Sequence, residues 1–261
     1  MANTIDWGKA SVNNTNGYGK GAIDNTIRWG KIYESSASGD TNIGTATTPS
    51  FSNTKSVRFD GIDDYVTMGN QSSLDFEQTD AFSISAWVNR NSIGNRHVIV
   101  SKQQFSFGIN SPGYNLQINN NDKVTFLLVF KFATHRFIQI ESTNTITDSN
   151  WHHIVLTYDG TGGSSAANGV EIYIDGLKET VSRSGNLGAS GATTLNSGDF
   201  SIGSFDEQSN YMDGAIDEVS VFNTELSQSQ VTEIYNSGVP NDISSLSPLS
   251  WWRCGDSDTF P

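Results

Sequence analysis

Phe82-Ser83-Ile84-Ser85-Ala86-Trp87-Val88 places Phe82, Ile84, Ala86 and Val88 on one face of an extended chain and Trp87 on the other. Alternation with period two over this length marks a strand with one face in a core. The pattern recurs on both sides. Residues 56–59 and 65–68 read as strands flanking a tight Asp60-Gly61 turn, and further strands are predicted over 97–101, 105–109, 114–118, 124–130, 137–140 and 151–158. Val170-Glu171-Ile172-Tyr173-Ile174, the pair Asp175-Gly176 and residues 177–181 spell a two-residue hairpin, with a type I′ turn that needs positive φ at both central positions. Strands over 200–203 and 215–222 close the set. Many short strands with few helices predict an all-β, two-sheet antiparallel jelly roll.

One short helix comes after the last of these strands. Ser227 with Gln230 three residues on forms a capping box, Leu226 and Val231 a hydrophobic staple, and Val231, Ile234 and Tyr235 an apolar face. Gly238 is the expected C-terminal stop, with Pro240 beyond it.

Composition agrees. Only 35% of the 261 residues are hydrophobic, yet 11% are aromatic and 25 are Gly, which suits a thin two-layer sandwich with many turns. With 28 acidic against 15 basic residues the net charge is −13, so phosphate backbones and anionic lipid would be repelled. Nucleic acid and membrane are therefore excluded as expected partners. The single cysteine, Cys254, allows no intrachain disulfide. Residues 1–7 show neither a basic nor an apolar signal region, and no apolar run approaches a membrane span, so the sequence reads as a soluble chain made in the cytoplasm.

The flanks differ from the middle. An aromatic-Gly-Lys unit recurs every eleven residues at Trp7, Tyr18 and Trp29, within a segment 1–34 too short and polar to bury its own rings. Such a segment is expected to serve homo-oligomerisation or anchoring. Residues 35–54 are a Ser/Thr/Gly-rich linker, 55–238 the jelly roll, and 239–261 a C-terminal extension in which Ser250-Trp251-Trp252-Arg253 reads as a docking segment or the first strand of a further domain.

Five stretches carry a family resemblance. Phe59-Asp60-Gly61-Ile62-Asp63-Asp64-Tyr65-Val66 resembles the opening strand pair of laminin-G-like, concanavalin A-like jelly rolls. Residues 82–88, 151–160, 172–176 and 214–222 resemble its later motifs in the right order. The resemblance, over about 50–238, implies two curved antiparallel sheets, often with a calcium site, and no single function. The aromatic-Gly-Lys leader and the tail 242–253 are similar to flanks of bacteriophage virion proteins that carry such domains.

Asp60, Asp63 and Asp64 gather three carboxylates around a glycine turn, and Asp217 lies in the closing strand, near the opening one in this fold. Hard oxygen ligands in a flexible turn suit Ca²⁺, although Asp60 can equally serve the turn itself. Tyr114, Phe205 and Tyr211 lie near predicted loops and are the carbohydrate-binding candidates, while Trp87 and Trp151, inside strand motifs, read as core. His152 and His153 point to opposite faces and cannot chelate one ion. The glucanase strand pattern Glu-x-Asp-x-x-Glu or Glu-x-Asp-x-Glu is absent, Glu171 faces a turn residue, and no nucleophile elbow occurs. A non-enzymatic role is expected: a bacteriophage virion protein (fibre, tail or decoration subunit) whose partners are other virion proteins, further copies of itself and host glycan. The alternative is a carbohydrate-binding or adhesion module of a larger cellular protein.

Overall fold

The computed structural model describes residues 51–104, 111–131, 134–188, 193–205 and 209–256, with the backbone of two short strands, β1 (Asn3–Ile5) and β2 (Ala10–Val12), which pair antiparallel. The predicted strand over 105–109 and the rings of Trp7, Tyr18 and Trp29 lie outside the described residues. The chain divides into two units, 1–51 and 52–261, and the second carries the jelly roll.

Two seven-stranded sheets face each other. The first runs β12 (Leu177–Lys178), β11 (Val170–Ile174), β10 (Trp151–Tyr158), β5 (Phe82–Arg90), β15 (Asp213–Phe222), β16 (Ser250–Trp252). β3 (Val57–Asp60) lies beside the first half of β15, so β3 and β16 share one edge of that strand. The second runs β13 (Val181–Asn186), β9 (Arg136–Thr145), β8 (Lys123–Lys131), β7 (Gly113–Ile118), β6 (His97–Gln103), β14 (Ser201–Ile202), β4 (Val66–Thr67). The alternation read from 82–88 is realised: Phe82, Ile84, Ala86 and Val88 enter the core with Leu116, Phe126, Leu156, Ile172 and Val221. Phe82 stacks on Phe76 at 4.5 Å and meets Phe126 and Tyr158 edge-on, which packs flat rings into a thin core.

Three expectations are corrected. β3 and β4 do not pair with each other but belong to opposite sheets. The residues between them form an arch rather than a hairpin: Gly61 takes φ 79°, Asp60 Oδ1 accepts the Ile62 amide at 2.8 Å, and Asp64 Oδ2 accepts the Asp60 amide at 3.1 Å. These side-chain acceptors satisfy the amides that a ladder would have used. Residues 250–252 do not open a further domain. They add β16 to the same sheet, and Trp252 stacks on Phe200 at 5.0 Å. The end of the expected linker also joins the fold, because Asn53 and Thr54 bond residues of the sandwich.

The Asp175-Gly176 turn holds φ 52° and 77°, as type I′ requires, although only Leu177–Lys178 pairs back before the chain crosses to the second sheet. Helix α1 (Gln228–Tyr235) carries the capping box in full. Its stop is Asn236 (φ 43°) rather than Gly238, the amide of a short polar side chain tolerating the left-handed conformation. α1 packs on the outer face of the first sheet, where Tyr235 stacks on Trp87 (5.9 Å) and His153 (6.0 Å). A side chain at Gly176 would strike the Tyr235 ring, so the glycine serves both the turn and the docking of the helix. No helix among the described residues is long and apolar enough to cross a membrane.

Candidate functional site: the loop rim and the outer face beside it

Strand direction gathers the loops 61–65, 91–96, 119–122, 146–150, 175–176 and 209–212 at one end of the sandwich. This rim is braced from below. The Arg90 guanidinium, 1% exposed, bonds the Ile146 carbonyl and Asp122 Oδ1, which also accepts the Gly94 amide at 2.8 Å. Burial works to raise the Asp122 carboxyl, but the Gly94 amide and Arg90 hold it below the usual carboxylate range. Three loops thus converge on one buried cation. His97 accepts the Asp213 amide at Nδ1 (3.2 Å), and burial, with Arg90 nearby, pushes its pKa down. Asp213 is bonded to Asn91 (3.0 Å), which ties the loop after β5 to the start of β15.

At the rim, the carboxylates of Asp60, Asp63 and Asp64 come within 4.8 Å of one another, all exposed. Asp217 does not join them. Across the sheet Asp60 faces Asp213, and Asp217 stands four residues further along β15, roughly 13 Å at about 3.3 Å per residue. It lies instead in a second, buried cluster. The β15–β5 register slips between Asp217 and Ser220, and Glu218 takes φ 48°, a β-bulge that turns two successive acids away from the core. Asn53 Nδ2 donates to Asp217 Oδ2 (3.0 Å) and Glu218 Oε1 (2.8 Å). Trp251 Nε1 donates to Glu218, whose Oε1 also lies 3.3 Å from Arg253 Nε. Burial pushes the Asp217 carboxyl up to about 7, aided by the charge of Glu218, and burial raises Glu218 as well. No feature of the sequence marks this bulge, since Asp-Glu in a strand reads as solvent-facing.

The carbohydrate-binding candidates divide. Tyr114 is 1% exposed, and its hydroxyl donates to the Leu74 carbonyl inside the aromatic core, so it cannot meet a ligand. Burial raises its pKa well above the ordinary value. Phe205 and Tyr211 are half-buried in the segment that leads to the rim, Phe205 bridging to Ser209. The two tryptophans expected in the core also part company: Trp87 is 4% exposed beneath α1, whereas Trp151 is 41% exposed. His152 and His153 do point apart. His153 is buried, within 2.8 Å of Ser85 Oγ, and burial pushes its pKa down to about 3. His152 sits between Asp175 Oδ2 (2.8 Å) and Asp148 Oδ1 (2.9 Å), and the Asp175 hydrogen bond raises its pKa. Glu171 is occupied by Arg183 (2.8 Å) and Lys178 (3.1 Å), and Asp175 by His152 and by the His153 amide (2.9 Å).

Comparison with known proteins fits this architecture. Residues 60–232 match the Concanavalin A-like lectin/glucanases superfamily, laminin-G type, and the chain belongs to that family. No curated protein matches the sequence. Among solved structures the chain is similar to a Bacteroides ovatus ATCC 8483 protein provisionally described as carbohydrate binding (16% identity, TM-score 0.51, 76% of this chain and 51% of that one). It is also similar to the CBM40 domain of a Ruminococcus gnavus IT-sialidase bound to α2,3-sialyllactose (10% identity, TM-score 0.53, 70% of this chain and 97% of that one). The chain thus spans about half the length of the first of these and nearly all of the second. At such identities the likeness is one of fold.

Proposed function

We propose that the jelly roll is a non-catalytic glycan-binding module. The observation that carries this reading is where the polar groups lie. The space between the sheets is filled by apolar and aromatic side chains, while acids and amides gather at the rim loops around a buried arginine brace. A family of lectins and glucanases supplies the fold, and Glu171 and Asp175, the acids that share a strand face, are each engaged elsewhere. Asp60, Asp63 and Asp64 would hold a Ca²⁺ ion at the rim. Two of their oxygens serve the arch, and each carboxylate retains a further oxygen of the hard kind this ion prefers, with water completing the shell.

The setting we propose is a bacteriophage virion, in which a fibre, tail or decoration subunit displays the module toward a host surface. Support comes from the aromatic-Gly-Lys repeat at Trp7, Tyr18 and Trp29, which needs a partner surface to bury its rings. A carbohydrate-binding module of a larger cellular protein is the second reading, favoured by the similarity to a carbohydrate-binding domain over 97% of that domain's length. The test is a glycan array probed with the full chain in calcium and in chelator. Binding that chelation weakens supports module and metal together. Binding indifferent to chelation leaves the module and removes the metal, and a blank array removes the module. Light scattering of the full chain against a variant with Trp7, Tyr18 and Trp29 all replaced by Ala separates self-assembly from a monomeric module.

A further inference from the structure

Trp151 opens β10 on the outer face of the first sheet and is the most open of the described tryptophan rings. The strand registers put it at the end of one cross-strand row: Arg58 faces Ala215, Ala215 faces Asn89, and Asn89 faces Trp151. In a pleated sheet such residues share a face. Three strand spacings of about 4.8 Å make the row roughly 14 Å long. Ala215, 1% exposed, is its low point, with a guanidinium and an amide on either side and the indole at the end. Arg58 is exposed and makes no hydrogen bond or ion pair with a described residue.

The neighbouring rows bound this one. On the rim side stand Asp60 and Asp213. On the other side lie Trp87 and His153, under the Tyr235 ring, which forms a step where the row ends. The indole is also well supported. The loop before it is held by Asn89 Nδ2 on the Ser149 carbonyl, by the Asn150 amide on Asp148 Oδ1 (2.8 Å), and by His152 between Asp148 and Asp175.

We propose that this row is a glycan subsite in which Trp151 stacks on the C–H face of a neutral pyranose while Asn89 and Arg58 bond its hydroxyls. It rests on the glycan-binding reading above and lies on the outer sheet face rather than at the acidic triad. An exposed, pre-positioned ring flanked by hydrogen-bonding side chains suits a ligand that is apolar on its faces and polar at its edges. A protein partner would call for a wider apolar patch than one ring among Asn, Arg and Asp. Acidic sugars are disfavoured because Asp60, Asp213 and Asp148 flank the row. A nucleobase would bring phosphate to a chain of net charge −13.

The experiment uses the full chain, an array of neutral and acidic oligosaccharides, and titration calorimetry with the neutral hexaose that binds best. Trp151→Ala should weaken that binding at least about tenfold, equivalent to about 1.4 kcal/mol, while the β-type far-UV spectrum and cooperative melt are retained. Trp151→Phe should recover part of the loss, and Arg58→Gln should cost a few-fold. If Trp151→Ala binds the hexaose as wild type does, the subsite is refuted while glycan binding stands. If only acidic glycans bind, the neutral class is refuted. If no glycan binds wild type, the subsite falls together with the reading beneath it.

Discussion

Asp217→Asn should change the sign of its effect with pH. In the folded chain burial pushes the Asp217 carboxyl up to about 7 from an ordinary value of 3.8. Because the folded form holds its proton more tightly, folding is unpenalised below pH 4, loses stability as pH rises from 4 to 7, and carries the full penalty above 7. Three units at 1.36 kcal/mol each make that penalty on the order of 4 kcal/mol. The asparagine removes it but sets an NH₂ group against the Asn53 Nδ2 donor, at a cost of about 1 kcal/mol for the lost hydrogen bond. The Glu218 amide, 2.8 Å from Asp217 Oδ1, keeps an acceptor. Near pH 8 the variant should therefore be the more stable by about 3 kcal/mol, and near pH 4 the less stable by about 1 kcal/mol. For a unit of this size that corresponds to melting shifts of roughly +6 to +12 °C and −2 to −4 °C. Calorimetric melts of both proteins from pH 4 to 8 are the assay. Parallel curves, with the variant destabilised equally at both ends, would show that Asp217 is not held protonated by burial and that the cluster with Glu218 and Arg253 is balanced as charges.

Single contacts lead to other outcomes. His152 has a raised pKa, so its bonds to Asp175 and Asp148 stabilise the fold fully below about pH 6.5 and less as pH climbs through the folded value; His152→Gln should flatten that part of the melting profile by up to about 1 kcal/mol. Ser227→Ala removes the hydroxyl that accepts the Gln230 amide, leaving the backbone amide of residue 227 on the Gln230 side chain, and should lower stability by about 1 kcal/mol in denaturant titrations. Lys102→Met should cost about 3–5 kcal/mol, because it strips the buried ammonium from Asp75 (2.9 Å), Asn70 and the Gly198 carbonyl. No sugar release from laminarin is expected, and turnover that Glu171→Gln abolished would overturn the non-catalytic reading.

Local rules make much of the fold legible. The parity of 82–88, the Asp-Gly turn and the Ser227–Gln230 cap each depend on neighbours a few residues away, and each is realised. What escapes such rules depends on distant partners. Trp87 and Trp151 have the same parity, and nothing nearby separates them. The difference is Tyr235, some 150 residues beyond Trp87, which covers one ring and not the other. Tyr114 sits beside a predicted loop but points inward because β7 starts at Gly113. Of the acidic set, Asp60, Asp63 and Asp64 meet because they share an arch. Only fold analogy links Asp217 to them, and the bulge beside it sends it to Asn53 instead.

The shared edge of β15 also bears on the order of folding. On one side this strand needs β5, made early; on the other it needs β3, earlier still, and β16, which lies beyond α1. Until residues 250–253 dock, β15 and its helix can be in place with half the strand's hydrogen-bonding edge open and the Glu218 carboxylate lacking Trp251 and Arg253. An open edge of this kind invites pairing with another partly folded chain. The twin acids at the bulge supply a deterrent at that stage, since a charged, kinked strand makes a poor template until its own partner arrives.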